Sequence, residues 1–127
     1  MDFSNYLANK LISATVRTLA YTTTEKVYAA LYTTDPTKDD AGDEVSAASY
    51  TRKEVGFIVP ANGVSSNAAK LEWGTATSDW GNVSYIGIKD AASGGNLLYF
   101  TALDNPKNIL SGDQFIINVN ELQLTLT

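Results

Sequence analysis

Neither histidine nor cysteine occurs in the 127 residues. Their absence removes the side chains most often used as general base, nucleophile or zinc ligand near neutral pH. It also excludes a disulfide framework. An enzyme built from this chain would have to work with carboxylates, Lys, Tyr, Ser or Thr alone. Long apolar runs are missing too: none approaches the ~18 residues that a membrane-crossing helix needs. The start, Met1-Asp2-Phe3-Ser4, lacks the basic and apolar regions of a cleavable signal. Charged residues make up 18%, below the globular average of about 25%. They are unbalanced, with 14 acidic against 9 basic and a net charge of −5. An acidic surface repels phosphate backbones and anionic lipid, so neither nucleic acid nor membrane is an expected partner.

What is present suits a sheet. Apolar residues reach 44%, enough for a core in a chain of one-domain size. Thr, Ser, Asn and Gly replace the missing charges and favour half-exposed strands and tight turns. Phe3, Tyr6, Leu7, Leu11, Ala14 and Leu19 recur at helical spacing, which predicts an amphipathic helix over Asp2–Leu19 capped by Asp2 or Ser4. Thr22-Thr23-Thr24 ends it. Such a helix is marginal alone and must dock, on its own sheet or on a neighbouring subunit.

Strands are expected over Lys26–Thr34, Tyr50–Val59, Ala68–Trp73, Val83–Lys89, Leu97–Leu103, Phe115–Val119 and Leu122–Thr127. The first is apolar on both faces and reads as central. A short piece from Pro106 to Leu110 lies between the fifth and sixth. Pro60-Ala61-Asn62-Gly63 and Gly94-Gly95 read as turns. About seven or eight short strands with regular turn signals mark an antiparallel sandwich or barrel. The expected fold is therefore a single domain over 1–127 and mainly β. A helical segment at 1–20 precedes a jelly-roll-like antiparallel β-sandwich over 26–127.

Candidate sites are few. Asp35, Asp39, Asp40, Asp43 and Glu44 form an acidic loop, but their spacing is not that of an EF-hand and Lys38 sits among them. The loop is expected to be solvated and mobile, or to order on assembly, rather than to hold a cation. Asp79-Trp80-Gly81, with Trp73 nearby, has the composition of a sugar platform. The expected reading is that both indoles are core or interface anchors with their N–H groups on backbone carbonyls. Glycoside hydrolysis needs two opposed carboxylates at fixed separation, and no pair stands out. No catalytic, cofactor-binding or metal-binding residue is assigned. Seven tyrosines suit multimer contact as well as sheets. The final strand, Glu121–Thr127, offers an edge that could extend a neighbour's sheet.

A series of segments in fixed order carries a resemblance. They are FSNYL at 3–7 with NKL at 9–11, YAALYTTDP at 28–36, EVS at 44–46, YTR at 50–52, SNA at 66–68, ATSDWGNV at 76–83, GIKDA at 87–91, GGNLLY at 94–99 and GD at 112–113. Together they are similar to small tailed-bacteriophage virion proteins of the tail-fibre-like kind, nearly end to end. The compact, β-rich character is also similar to trimeric cement proteins that decorate capsids. The resemblance implies a virion structural protein assembled in the host cytoplasm, without cofactor. The expected function is capsid decoration, as a homotrimer contacting the major capsid protein. The alternative is a tail-fibre or receptor-binding module whose Trp73 and Trp80 touch a host glycan. The expected contacts are Phe3, Tyr6 and Leu7 from the helix, Asp39, Asp40 and Asp43 from the loop, and Trp80.

Overall fold

The computed structural model describes residues 1–126. Its elements run β1 (Asp2–Phe3), α1 (Asn5–Val16), β2 (Val27–Tyr32), β3 (Lys53–Val55), β4 (Val64–Ser66), β5 (Leu71–Glu72), β6 (Gly81–Lys89), β7 (Leu97–Ile109), β8 (Ile116–Ile117) and β9 (Gln123–Thr125). Every pairing among them is antiparallel. One five-stranded sheet has the order β1-β7-β6-β2-β3, and two short ladders pair β4 with β9 and β5 with β8. The fold is mainly β with one helix near the N-terminus and a sandwich-like layering, as expected. The second layer is two separate ladders rather than one continuous sheet.

β2 lies between β3 and β6, so it is central. Its alternation sends Ala29 and Leu31 to the core face, opposite Ile88 and Ile86 of β6. The ladders close over that face. Trp73, Trp80, Phe115, Leu71, Ile117 and Leu122 meet it in one cluster. Trp73 meets Phe115 edge-on at 5.4 Å, and Trp80 meets Tyr50 at 5.5 Å. Each large apolar side chain buried here stabilises the fold by roughly 1.5–3 kcal/mol. Fully buried Asn67 stitches the layer together. Its amide donates to the carbonyls of Ala69 and Asn118, and its side-chain oxygen accepts from the Leu122 N–H.

The turns form as their residues demand. Asn62 and Gly63 both take positive φ, at 54° and 75°, and Ala61 and Val64 exchange two backbone hydrogen bonds around them. That is a two-residue hairpin of the kind Asn-Gly favours. At Gly95 (φ 74°) a Cβ would stand 2.5 Å from the Asp90 carboxylate, so a side chain has no room there.

Several boundaries differ from expectation. Asp2 and Phe3 are not helical: they pair with Phe100 and Tyr99 of β7. Ser4 is the cap, its hydroxyl accepting from the Leu7 N–H at 3.1 Å. α1 stops at Val16, before the threonine run, because Thr18 turns left-handed (φ 56°) and the Leu19 N–H bonds back to the Ser13 carbonyl. β3 keeps three residues of the ten expected, and β4 falls where no separate strand was expected. β7 runs through Pro106 to Ile109. The register slips between Val83–Lys107 and Tyr85–Ala102, so Pro106 lies in an irregular stretch where no ladder bond is required of it. The last residue of the strand expected over Glu121–Thr127 lies outside the described residues.

Candidate functional site

The acidic loop is tied down by hydrogen bonds. Asp40 accepts from Tyr32 Oη at 2.8 Å and forms an ion pair with Lys89, whose side chain is buried. Glu44 receives a two-pronged Arg52 guanidinium at 2.7 and 2.8 Å, and Tyr50 Oη donates to it at 2.6 Å. The same guanidinium donates to the carbonyls of Ala91 and Gly94 in the β6–β7 hairpin. Asp39 accepts from the Asn5 amide of α1 at 2.7 Å, and the Asp35 carboxylate accepts from the Thr37 N–H. The backbone N–H of Asp43 donates to Thr34 Oγ. The carboxylates thus point to different partners, and among the described residues no group of three acidic side chains converges as a cation site would require.

The chemistry of this clamp is electrostatic support. Burial alone would raise the Glu44 carboxyl, but hydrogen bonds from Arg52 and Tyr50 outweigh it and hold the group below the usual carboxylate range. Burial and the hydrogen bond to a carboxylate push the Tyr32 and Tyr50 hydroxyls up, so both stay neutral donors. The Glu44 bond raises Arg52 against the effect of its burial.

The expected contact residues separate into three groups. Leu7 (3% exposed) and Trp80 (5%) are buried in their own chain. The amphipathic pattern placed Leu7 on an apolar stripe, and that part of the stripe faces β7. Trp80 is held inside by Tyr50 and donates its indole N–H to Ser49 Oγ at 3.0 Å. Trp73 is buried with its N–H unpaired. Neither indole finds the expected backbone carbonyl, and neither offers a face to sugar. Phe3 and Tyr6 are half-buried: Phe3 lies against Tyr99, and the Lys10 ammonium lies over the Tyr6 ring. Asp39 and Asp43 are exposed, while Asp40 is held in its ion pair.

The exposed apolar surface lies elsewhere. A groove of about 660 Å³ opens between one end of the main sheet and the β4–β9 ladder, lined among others by Val27, Phe57, Ile58, Val64, Leu98 and Leu126. No charged side chain lines it, and the Ser65 hydroxyl at its wall donates to the Ile58 carbonyl. Val59, next to Ile58, is 89% exposed. On α1, Ile12 (58%) and Val16 (74%) face solvent together with Leu19 just beyond the helix. Ile12 and Val16, four residues apart, share one face of the helix. Sequence reasoning missed all of these except Leu19 and Leu126, the latter within the final strand that was expected to offer an edge. The available signals were the consecutive Ile58-Val59-Pro60 before the Asn-Gly turn and the second apolar stripe of α1.

No curated protein matches the chain. Residues 2–125 match the family described as podophage GP4 fiber I protein gp80. With nearly its whole length inside that match, an antiparallel β fold and apolar surface left open, the chain belongs to this family of phage fibre-type structural proteins.

Proposed function

We propose that the protein is a non-enzymatic assembly module of a phage fibre, joined to other virion proteins through apolar contacts. The observation that carries this reading is the groove beside β4 and β9. Its lining is mostly hydrocarbon and it presents no charged side chain, so it suits the apolar side chains of a protein partner better than a polar substrate. A net charge of −5 keeps free subunits soluble before assembly. Repeated modest contacts then add through avidity. The narrower reading, a cement protein clamping capsid subunits as a homotrimer, uses the same physics, and the fibre name of the family favours the appendage instead.

Location in the particle tests this. Antibody–gold labelling or a density map of the intact virion should place the chain on a fibre. Label spread over the shell would replace the fibre reading with the capsid one. Release of sugar from host glycan by the purified chain would end the non-enzymatic reading.

A further inference from the structure

Lys89 stands on β6 with 5% of its surface exposed. A lysine is seldom buried so far unless its ammonium is paired. Here Nζ lies 2.5 Å from Oδ2 of Asp40, 49 positions away in the chain. The other oxygen of the same carboxyl, Oδ1, accepts from Tyr32 Oη at 2.8 Å. Tyr32 is itself 1% exposed. The two carboxyl oxygens are therefore told apart: one faces an amine, the other a hydroxyl that stays protonated. Glu44 is taken up by Arg52 and Tyr50, so it does not compete for Lys89.

The backbone holds this arrangement from both sides. Asp40 is left-handed (φ 55°), a conformation uncommon outside glycine. Ala41 and Gly42 donate their N–H groups to the Pro36 carbonyl, and the Thr33 N–H donates to the Asp43 carbonyl. Lys89 is held in the ladder opposite Tyr28 of β2. Amine and carboxyl thus meet between two fixed elements. For well-oriented groups such placement is worth an effective concentration on the order of 10⁵ M or more. Little water reaches the amine, and low polarity favours a neutral amine and acid over two ions.

We infer that Lys89 and Asp40 condense to an isopeptide bond, a covalent tie between the 35–44 loop and β6. A proton passes from Nζ to Oδ2. The neutral amine then attacks Cγ, and the charge that develops on Oδ1 is held by the Tyr32 hydroxyl. The Cγ–Oδ2 bond breaks, and Oδ2 leaves as water with two of the three ammonium protons. The third stays on the new amide nitrogen. The step consumes no oxidant and no outside proton. The bond gives a chain without cysteine the restraint on its unfolded state that a disulfide supplies elsewhere. It is independent of the assembly reading above.

Mass spectrometry of the purified full chain tests it. The wild type should be lighter than its sequence by one water. After trypsin, cleavage at Lys89 should be lost, and the peptide 71–107 should be joined to 39–52. Lys89→Arg keeps the charge but lacks the nucleophilic amine, so it should show its full mass. Thermal melts confirm folding, and Asp40→Ala substitutes for that variant if it fails to fold. Tyr32→Phe, followed from cell-free synthesis, should form the bond on the order of a hundredfold more slowly. A folded wild type still at full mass after prolonged incubation at neutral pH would overturn the inference. So would a loss of water that maps to other residues, or the same loss in Lys89→Arg. An unchanged rate in Tyr32→Phe would overturn the role given to its hydroxyl.

Discussion

The clamp around Asp40 and Glu44 and the groove beside β4 sit on one small fold and are built on opposite principles. In the clamp, charges that would be costly to bury are matched: Lys89 with Asp40, and Arg52 with Glu44 plus two carbonyls. At the groove and along α1, apolar side chains stay in water although folding alone would hide them. The first region is complete within one chain. On the assembly reading proposed above, the second becomes complete against another surface. On that reading, polar satisfaction marks what the chain does for its own stability, and open hydrocarbon marks what it does for others.

This contrast sets the size of mutational effects. The largest should come from the core shared by both regions. Leu31→Ala removes a side chain with no exposed surface and should cost about 4 kcal/mol in urea unfolding followed by tryptophan fluorescence. Arg52→Ala should cost about 3 kcal/mol, since it leaves Glu44 unpaired and frees the 91–94 hairpin, with the partial exposure of Glu44 softening the loss. A loss below about 1 kcal/mol would show that the clamp behaves like a surface ion pair.

The pH dependence sharpens the same point. The Glu44 carboxyl titrates lower in the folded chain than the 4.5 of a free glutamate. Its contribution is therefore complete above that value and is lost as pH falls through the lowered folded value. Urea midpoints measured from pH 7 downward should fall more steeply for the wild type than for Glu44→Gln. Parallel curves would mean that the clamp adds no pH-dependent stability.

Smaller differences should separate the two indoles. Trp80→Phe breaks the bond to Ser49 Oγ, whereas Trp73→Phe removes a donor that has no partner. An unpaired buried donor costs about 1–3 kcal/mol, so Trp73→Phe should be the milder change by about 1 kcal/mol in the same unfolding assay. Least of all, Val16→Asp should shift monomer stability by no more than about 0.5 kcal/mol, because Val16 touches little in its own chain.

The sequence makes local structure legible and leaves distant pairing hidden. Asn62-Gly63 and Gly94-Gly95 announce their turns because backbone sterics act within a few residues. β2 reads as central because both its faces are apolar. Asp2 and Phe3 read as helix because their strand partners, Tyr99 and Phe100, lie almost a hundred positions away. Pro106 reads as a break because the irregular pairing around it depends on β6. The virion class follows from ordered motifs, and the family match agrees with it. The groove is assembled from five separate stretches, around 27, 57–65, 88, 98–99 and 124–126. No local pattern encodes it. Leu7 and Trp80 show the converse: being apolar on the right face made them attractive as contacts, and the same property buries them at home.

The claim that open hydrocarbon marks the assembly surface is tested most directly by hydrogen exchange on free chain and on chain in assembled particles. Protection should rise over 10–19, 57–66 and 123–126, with 35–44 and 86–91 unchanged. Protection that rises across 35–44 while α1 and the groove exchange as freely as before would contradict it.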